Sequence, residues 1–469
     1  MRKILISETL DEIRVAVVDN SRLRNFFIDN NREQISIRGN IYKAKRNLNA
    51  NGIEASFVDI GLGKSAFLSK NNPLKEEVGE EDFKVQEISK DDFIMVQGIS
   101  DYDPRKAPKV SDFITLPSKF CVVLSKPGFL GISKRIDDEK KRTRLKSLKK
   151  MTNRNIGIIL RTSCGNQTLK EIKQDISKTK KKWKEIMSSF KTNYSVGLLH
   201  QEDNIIDGIF REFLNNDTKE IEFDSRKIYS YFRKKLNKNK SEIKLKITNK
   251  KDEIFSKNRI DKEIEKIFHK KLNLKNGSFL LIEEKEGLTV IDVNSGRSLN
   301  NRKESNFTVN IGAAEEIARQ IILRNLSGII LIDFIDLHKS KEKKKLFNVF
   351  KNAMKQDKSK HTILPISKFG IIEMTRQKIG TRTTSLVSES CAHCFGSGLV
   401  TRKELVCYQL IREIVRTSKQ KKNKININLN SGYIDTMHSI IDINKSNKDI
   451  KDLEIKIKQD DSIEKYKII

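Results

Sequence analysis

The period of the apolar positions changes several times along this chain, and each change predicts a different kind of element. Near the N-terminus IRVAVVDNSRL reads as a strand with no partner close by. From Ile35 to about Leu116, GNIYKAKRNLNANGIEASFVDIGLGKSAFLSK alternates apolar and polar residues between turn signals at Asn51-Gly52 and Gly61-Leu62-Gly63, and DFIMVQGI follows a charged loop, NNPLKEEVGEED. Short strands with glycine-rich turns predict a small barrel of OB type. If Val58, Ile60 and Leu68 line its core, alternation turns Phe57 and Phe67 outward beside lysines, as base stacking requires. The inverted register, with both rings in the core, is the competing reading.

Over residues 119–201 the strands FCVVLSKPGFLGISKRI, NIGIILRTS and SVGLLHQED alternate with lysine-rich helical stretches, which predicts a small α/β module. Residues 202–270 read as helix, strand, helix, strand and a last helix, RIDKEIEKIFHKKL, elements able to partner the N-terminal strand. GSFLLIEEKEGLTVIDVNSG predicts a hairpin turning near Lys285–Gly287. The helix NIGAAEEIARQIILRN carries Ile311, Ala314, Ile317 and Ile321 on one stripe, and Ile329 to Ile332 form the continuous apolar run of a buried strand ending in Asp333. Two buried strands that each finish in an aspartate, joined by a helical crossover, lie side by side in one sheet. Past residue 400 come an amphipathic helix, ELVCYQLIREIVRTSKQ, and two strands, KKNKININLN and LEIKIKQ.

Charge narrows the choice of partner. The excess of 93 Lys+Arg over 62 Asp+Glu, +31 in all, runs from end to end and favours a polyanion such as nucleic acid. Drift in an AT-rich genome, which also enriches lysine, is the bland alternative. No apolar run reaches the roughly 18 residues of a membrane span. The acidic, alternating N-terminus is unlike a signal or transit peptide. The cysteines Cys121, Cys164, Cys391, Cys394 and Cys407 are too scattered for a disulfide framework, which points to a reducing compartment.

Three constellations carry chemistry. In LTVIDVNSG, Asp292 and Asn294 sit at i and i+2 and so share a face at the end of a strand, as Asp333 does on the next strand. Two close carboxylates repel unless a hard cation joins them, and Mg²⁺ is typically held by one or two carboxylates with phosphate oxygens and water. Asp292 and Asp333 are therefore candidate magnesium ligands, with Asn294 a neutral orienting group; capping aspartates are the alternative. Arg161-Thr162, just past a strand, offers a guanidinium fork and a hydroxyl to a phosphate, although any basic loop looks similar. CAHCFGSG is half of a tetrahedral zinc site: Cys391 and Cys394 either form an incomplete site or share one ion with a second chain, which would make a homodimer. His393 inside the knuckle reads as solvent-exposed. A redox role for the pair lacks the usual Trp and Pro context.

GNIYKAK, SFVDIG, ISKR (132–135), ILRTS (159–163), DVNSG (292–296), IDFIDL (332–337) and CAHCFGSG (391–398) occur in the order seen in the ribonuclease E/G family, and the chain resembles that family nearly to residue 400. The resemblance implies a multidomain α/β and β architecture. A ribonuclease-H-like subdomain (1–34 and 202–270) would be interrupted by an S1 RNA-binding barrel (35–118) and a 5′-sensor region (119–201). A DNase-I-like catalytic subdomain (271–387), a zinc link (388–400) and a shortened small C-terminal domain (401–469) would follow. It assigns catalysis to Asp292, Asn294 and Asp333, with one Mg²⁺ per chain, and zinc shared between two chains to Cys391 and Cys394. It assigns a 5′-monophosphate to Arg161, Thr162 and the Val122 amide, and RNA contacts to Phe57, Phe67, Lys106, Lys134 and Arg135.

The expected activity is magnesium-dependent hydrolysis of single-stranded, AU-rich RNA to 5′-phosphate and 3′-hydroxyl ends. A 5′-monophosphate would stimulate it, in mRNA decay and in rRNA and tRNA processing. A homodimer is expected, a homotetramer stays open, and no scaffold arm for other decay enzymes is expected. The place of action is a plastid stroma, if the chain is organelle-encoded, or a bacterial cytoplasm. Rival readings are a non-catalytic S1-type RNA-binding protein and a metal-dependent DNase, the latter disfavoured by outward aromatics that suit single strands.

Overall fold

Three N-terminal strands, Arg2–Thr9, Glu12–Asp19 and Arg22–Asn30, pair antiparallel as a meander. The sequence pattern showed one unpartnered strand there. Its reversals are tight turns at Leu10 (φ 52°) and at Asn20 and Ser21 (φ 49° and 62°), left-handed positions without the glycine that usually betrays them. Thr218–Phe223 then pairs parallel to Arg2–Thr9, and Lys244–Ile247 pairs parallel beyond it, so this five-stranded sheet joins both ends of a long insertion. Ile206, Ile209 and Phe232 pack on one face and Ile254, Phe255 and Ile260 on the other.

This computed structural model describes all residues except 31–36, 47–55, 69–92, 100–106, 203, 215–216, 238–242, 250–252, 286, 297–304, 379–381, 390, 392, 395, 397, 419–423, 448–450 and 452. The Asn51-Gly52 turn, the NNPLKEEVGEED loop and Lys106 lie outside the described residues.

Within the insertion, Ile41–Arg46, Ser56–Asp59, Ala66–Leu68, Lys109–Ser111 and Phe93–Gly98 close a five-stranded barrel, the last strand pairing back to the first. Val58, Ile60, Ala66, Val96 and Val110 fill it. This is the OB-type barrel that the alternation predicted. The strand predicted over SVGLLHQED, Gly197–His200, pairs with the barrel strand Ile41–Arg46 and not with the sheet before it. That sheet has four strands, in the order Leu130–Ile132, Gly157–Leu160, Cys121–Leu124 and Thr115–Pro117. The helix Leu169–Thr192, started by a Thr168/Glu171 capping box, lays Ile172, Ile176, Trp183 and Ile186 on its core.

The helix predicted over RIDKEIEKIFHKKL is short, Asp261–Lys266, and its last residues become the strand Lys271–Asn273. That strand edges a six-stranded sheet, followed in order by Phe279–Glu284, Leu288–Asn294, Gly328–Asp333, Ile371–Arg376 and His361–Ile363. Leu288–Asn294 and Gly328–Asp333 run parallel, joined through the helix Asn306–Leu323. That helix and Ser340–Met354 form one core with Ile291, Val293, Ile330 and Ile332. The other face is less covered: Val290 and Leu331 are half-buried and Ile329 is 49% exposed. The continuous apolar run therefore does not mark a strand buried on both faces, as it would in a sheet with helices on each side.

Residues Ser388–Ile469 form a separate unit. Its helix Lys403–Ser418 packs Leu410 and Ile414 against Ile427 and Met437, from the strand Lys424–Leu429 and the helix Ser431–Ile443. Glu454–Gln459 pairs parallel and Tyr466–Ile468 antiparallel to Lys424–Leu429.

Candidate active site

Along Leu288–Asn294 burial alternates strictly, with Thr289, Ile291 and Val293 in the core. Asp292 and Asn294 consequently stand on the opposite face, half-exposed, as expected from their spacing. The parallel register sets Asp292 directly beside Asp333, the last residue of its strand. Asn294 Nδ2 donates to Asp292 Oδ2 at 2.7 Å, so the amide restrains the Asp292 carboxylate. Gly296 turns the chain away with φ +54°, and a Cβ there would lie 2.4 Å from the Gly277 carbonyl oxygen, so only glycine fits.

Partial desolvation, then the neighbouring carboxylates of Asp292 and Asp336, push the Asp333 carboxyl above its ordinary range. Such a site favours a cation or a proton. Among the described residues no group of three or more His, Cys, Asp or Glu side chains is placed to hold a metal. Two neighbouring carboxylates with a neutral amide fit magnesium, which needs no all-protein cage.

The sequence pattern did not single out Asn310, which is fully buried in the crossover helix. Its side chain accepts from the Ile335 amide at 3.1 Å and donates to the Ile335 carbonyl at 2.7 Å, clamping the segment that follows Asp333. An amide at the head of the apolar stripe of NIGAAEEIARQ was the available signal.

Arg161 follows the strand Gly157–Leu160, but its guanidinium is not unoccupied. Nη2 forks onto both Glu212 carboxylate oxygens at 2.6 and 2.8 Å, and Nη1 donates to the Ser118 carbonyl at 2.9 Å. Lys358 Nζ donates to the same carboxylate at 3.0 Å. Burial alone would raise the Glu212 carboxyl; Lys358 and Arg161 outweigh it and hold it at about 2. Thr162 is exposed, its hydroxyl 2.9 Å from that of Ser133. Val122 lies mid-strand, opposite Ile159 on one side and Pro117 on the other. Lys134 and Arg135 are exposed, and Arg135 donates to the Asp357 carbonyl.

On the barrel, Phe57 and Phe67 are cross-strand partners, both half-buried and both on the face opposite Val58 and Ala66. Their rings meet edge-to-face, with centroids 5.8 Å apart. In the second unit Cys391 is exposed and Cys394 half-buried. Backbone amides of Gly398 and Gly396, then the Cys391 side chain, hold the Cys394 thiol below its ordinary range, which suits a thiolate ligand. His393 is exposed.

Paired carboxylates at two strand ends, in a strongly basic chain that also carries a small barrel, suit a nucleic-acid phosphodiesterase, and comparison with known proteins makes the class specific. The profile of the Ribonuclease E/G family matches residues 115–379. Ribonuclease G of Escherichia coli (strain K12) is 32% identical over 428 residues, covering 88% of this chain and 87% of that protein. Ribonuclease G of Haemophilus influenzae is 30% identical over the same length. Ribonuclease E of Buchnera aphidicola subsp. Schizaphis graminum is 31% identical over 434 residues, 88% of this chain but 44% of that longer protein. The chain belongs to the ribonuclease E/G family. It is an endoribonuclease, a hydrolase of RNA processing.

Proposed function

We propose that this endoribonuclease cuts single-stranded, AU-rich RNA at Asp292, Asn294 and Asp333, leaving 5′-phosphate and 3′-hydroxyl ends. The observation that supports this most is the register of Asp292 beside Asp333 on two parallel strand ends, with Asn294 bonded to the first. Asp292 and Asp333 would hold one Mg²⁺, whose chemistry is to polarise the scissile phosphate and favour ionisation of the attacking water. Asn294 holds the Asp292 carboxylate in place through its 2.7 Å hydrogen bond. Desolvation and carboxylate crowding leave Asp333 short of positive charge, which a cation supplies.

Around this centre, Phe57, Phe67 and Lys106 would hold the strand on an S1-type barrel spanning 35–118, and Lys134 and Arg135 would meet its phosphates. Residues 119–201 would read a 5′-monophosphate through Arg161, Thr162 and the Val122 amide, which stimulates cleavage. The Glu212 carboxylate now on Arg161 stands where a phosphate would, so binding is an exchange of one anion for another. The subdomain boundaries expected from the sequence are carried with this proposal: a ribonuclease-H-like part from 1–34 and 202–270, and a DNase-I-like part over 271–387. Cys391 and Cys394 would supply half of a zinc site completed by a second copy. The setting is RNA decay and processing in a plastid or a bacterial cytoplasm.

The test is Asp292→Asn. Internal cleavage of a short single-stranded RNA is expected to fall by about 10²-fold or more, with binding of that RNA retained. Undiminished cleavage would remove the carboxylate pair from the chemistry.

A further inference from the structure

Among the described phenylalanines, Phe369 is the most exposed, at 86% against 36% for Phe268, the next. Its position is fixed. The turn joining His361–Ile363 to Ile371–Arg376 is closed by Ser367 N–H to the Ile371 carbonyl at 2.9 Å and Gly370 N–H to the Ser367 carbonyl at 3.1 Å. The Ser367 hydroxyl also accepts from the Ile371 amide at 3.3 Å. Gly370 takes φ +87° and reverses the chain there, which leaves the preceding ring in solvent.

That turn belongs to the carboxylate site. Ile371, two residues beyond Phe369, is the cross-strand partner of Asp333. A Cβ built on Gly370 would lie 3.7 Å from the Asp336 Oδ1. A cross-strand Cα separation of about 5.5 Å and two chain steps of at most about 3.8 Å each keep the Phe369 Cα within about 13 Å of that of Asp333. A base adjoining a phosphate held at Asp333 falls within that reach. Lys368, beside it, is exposed and supplies a cation for a phosphate.

The barrel pair Phe57 and Phe67 engage each other edge-to-face, whereas Phe369 meets no other aromatic ring among the described residues. An aromatic held in water by a braced turn, next to a lysine and a phosphodiester-cleaving centre, has the features of a stacking platform for single-stranded nucleic acid.

We infer that Phe369 stacks on the nucleobase adjoining the scissile phosphate and so seats the strand over Asp292 and Asp333. The inference rests on the reading of those aspartates as the cleavage site. It locates a source of single-strand preference at the catalytic sheet, because a base inside a duplex already has both faces covered by its neighbours. The RNA face is thus not confined to the barrel.

The test compares Phe369→Ala, Phe369→Tyr and Phe369→Trp. With a short single-stranded RNA, kcat/KM of Phe369→Ala is expected to fall by about tenfold or more, and the two aromatic variants to stay within about threefold of wild type. An abasic site at one position next to the cut should erase the difference between wild type and Phe369→Ala. Phe369→Trp combined with Asp333→Asn gives a reading independent of cleavage. The native Trp183 is buried at 5% exposure, so fluorescence quenching by added RNA reports the new indole. No quenching, or an alanine variant that cuts like wild type, would overturn the inference. Wild-type cleavage by Asp333→Asn would refute the catalytic reading beneath it, whatever the quenching shows.

Discussion

Asn294 differs from an aspartate by one amide, and that amide bonds the Asp292 carboxylate at 2.7 Å where a third carboxylate would repel it. These residues were legible because alternation fixes the face of every strand residue. Partners distant in sequence were not. Glu212 is 51 residues from Arg161 and reads as an unremarked acid at a helix end, yet it occupies the guanidinium. The role proposed for Arg161 has a direct check. Arg161→Ala should slow cleavage of 5′-monophosphorylated RNA by about tenfold or more, with little effect on the same RNA carrying a 5′-triphosphate, because a charge-assisted fork is lost only where the phosphate is read. Equal slowing of both substrates would assign Arg161 to the fold alone.

At the scale of elements, the strands that set the site were read correctly: the hairpin Phe279–Glu284 with Leu288–Asn294, the crossover helix and the Asp333 strand. The N-terminal meander escaped because its turns use Leu10, Asn20 and Ser21 in place of glycine. The partly covered face beside Ile329 escaped because an apolar run does not say how many of its sides are covered. Glu212, closing the helix Ile205–Glu212, ties that helix to Arg161 just past the strand Gly157–Leu160 and to Lys358 just past the helix Ser340–Met354. Its folded-state value of about 2 lies below the ordinary 4.5. The linked stability is therefore complete above about pH 4.5 and disappears as the pH falls toward 2. Glu212→Gln should lower stability at neutral pH by up to about 3 kcal/mol, and the gap from wild type should narrow through that acid range. Urea midpoints at several pH values measure it; a gap independent of pH would mean that the ion pairs contribute little.

For the whole molecule, the charge of +31 fits the polyanionic substrate of an endoribonuclease, but only the family comparison distinguishes that from compositional drift. The half zinc site proposed for Cys391 and Cys394 makes assembly a testable matter. Changing Cys391 and Cys394 to Ser should release zinc and halve the mass measured by light scattering; zinc loss without a change of mass would contradict a shared site. The central claim is that Asp292 and Asp333 form one metal-dependent hydrolytic centre. The most direct measurement is cleavage of a short 5′-monophosphorylated, AU-rich RNA by wild type and by Asp333→Asn, each with Mg²⁺ or with EDTA. Internal cuts made only by the wild type, and only with Mg²⁺, are the expected result. Cuts that persist in Asp333→Asn with Mg²⁺, or in wild type with EDTA, would contradict it.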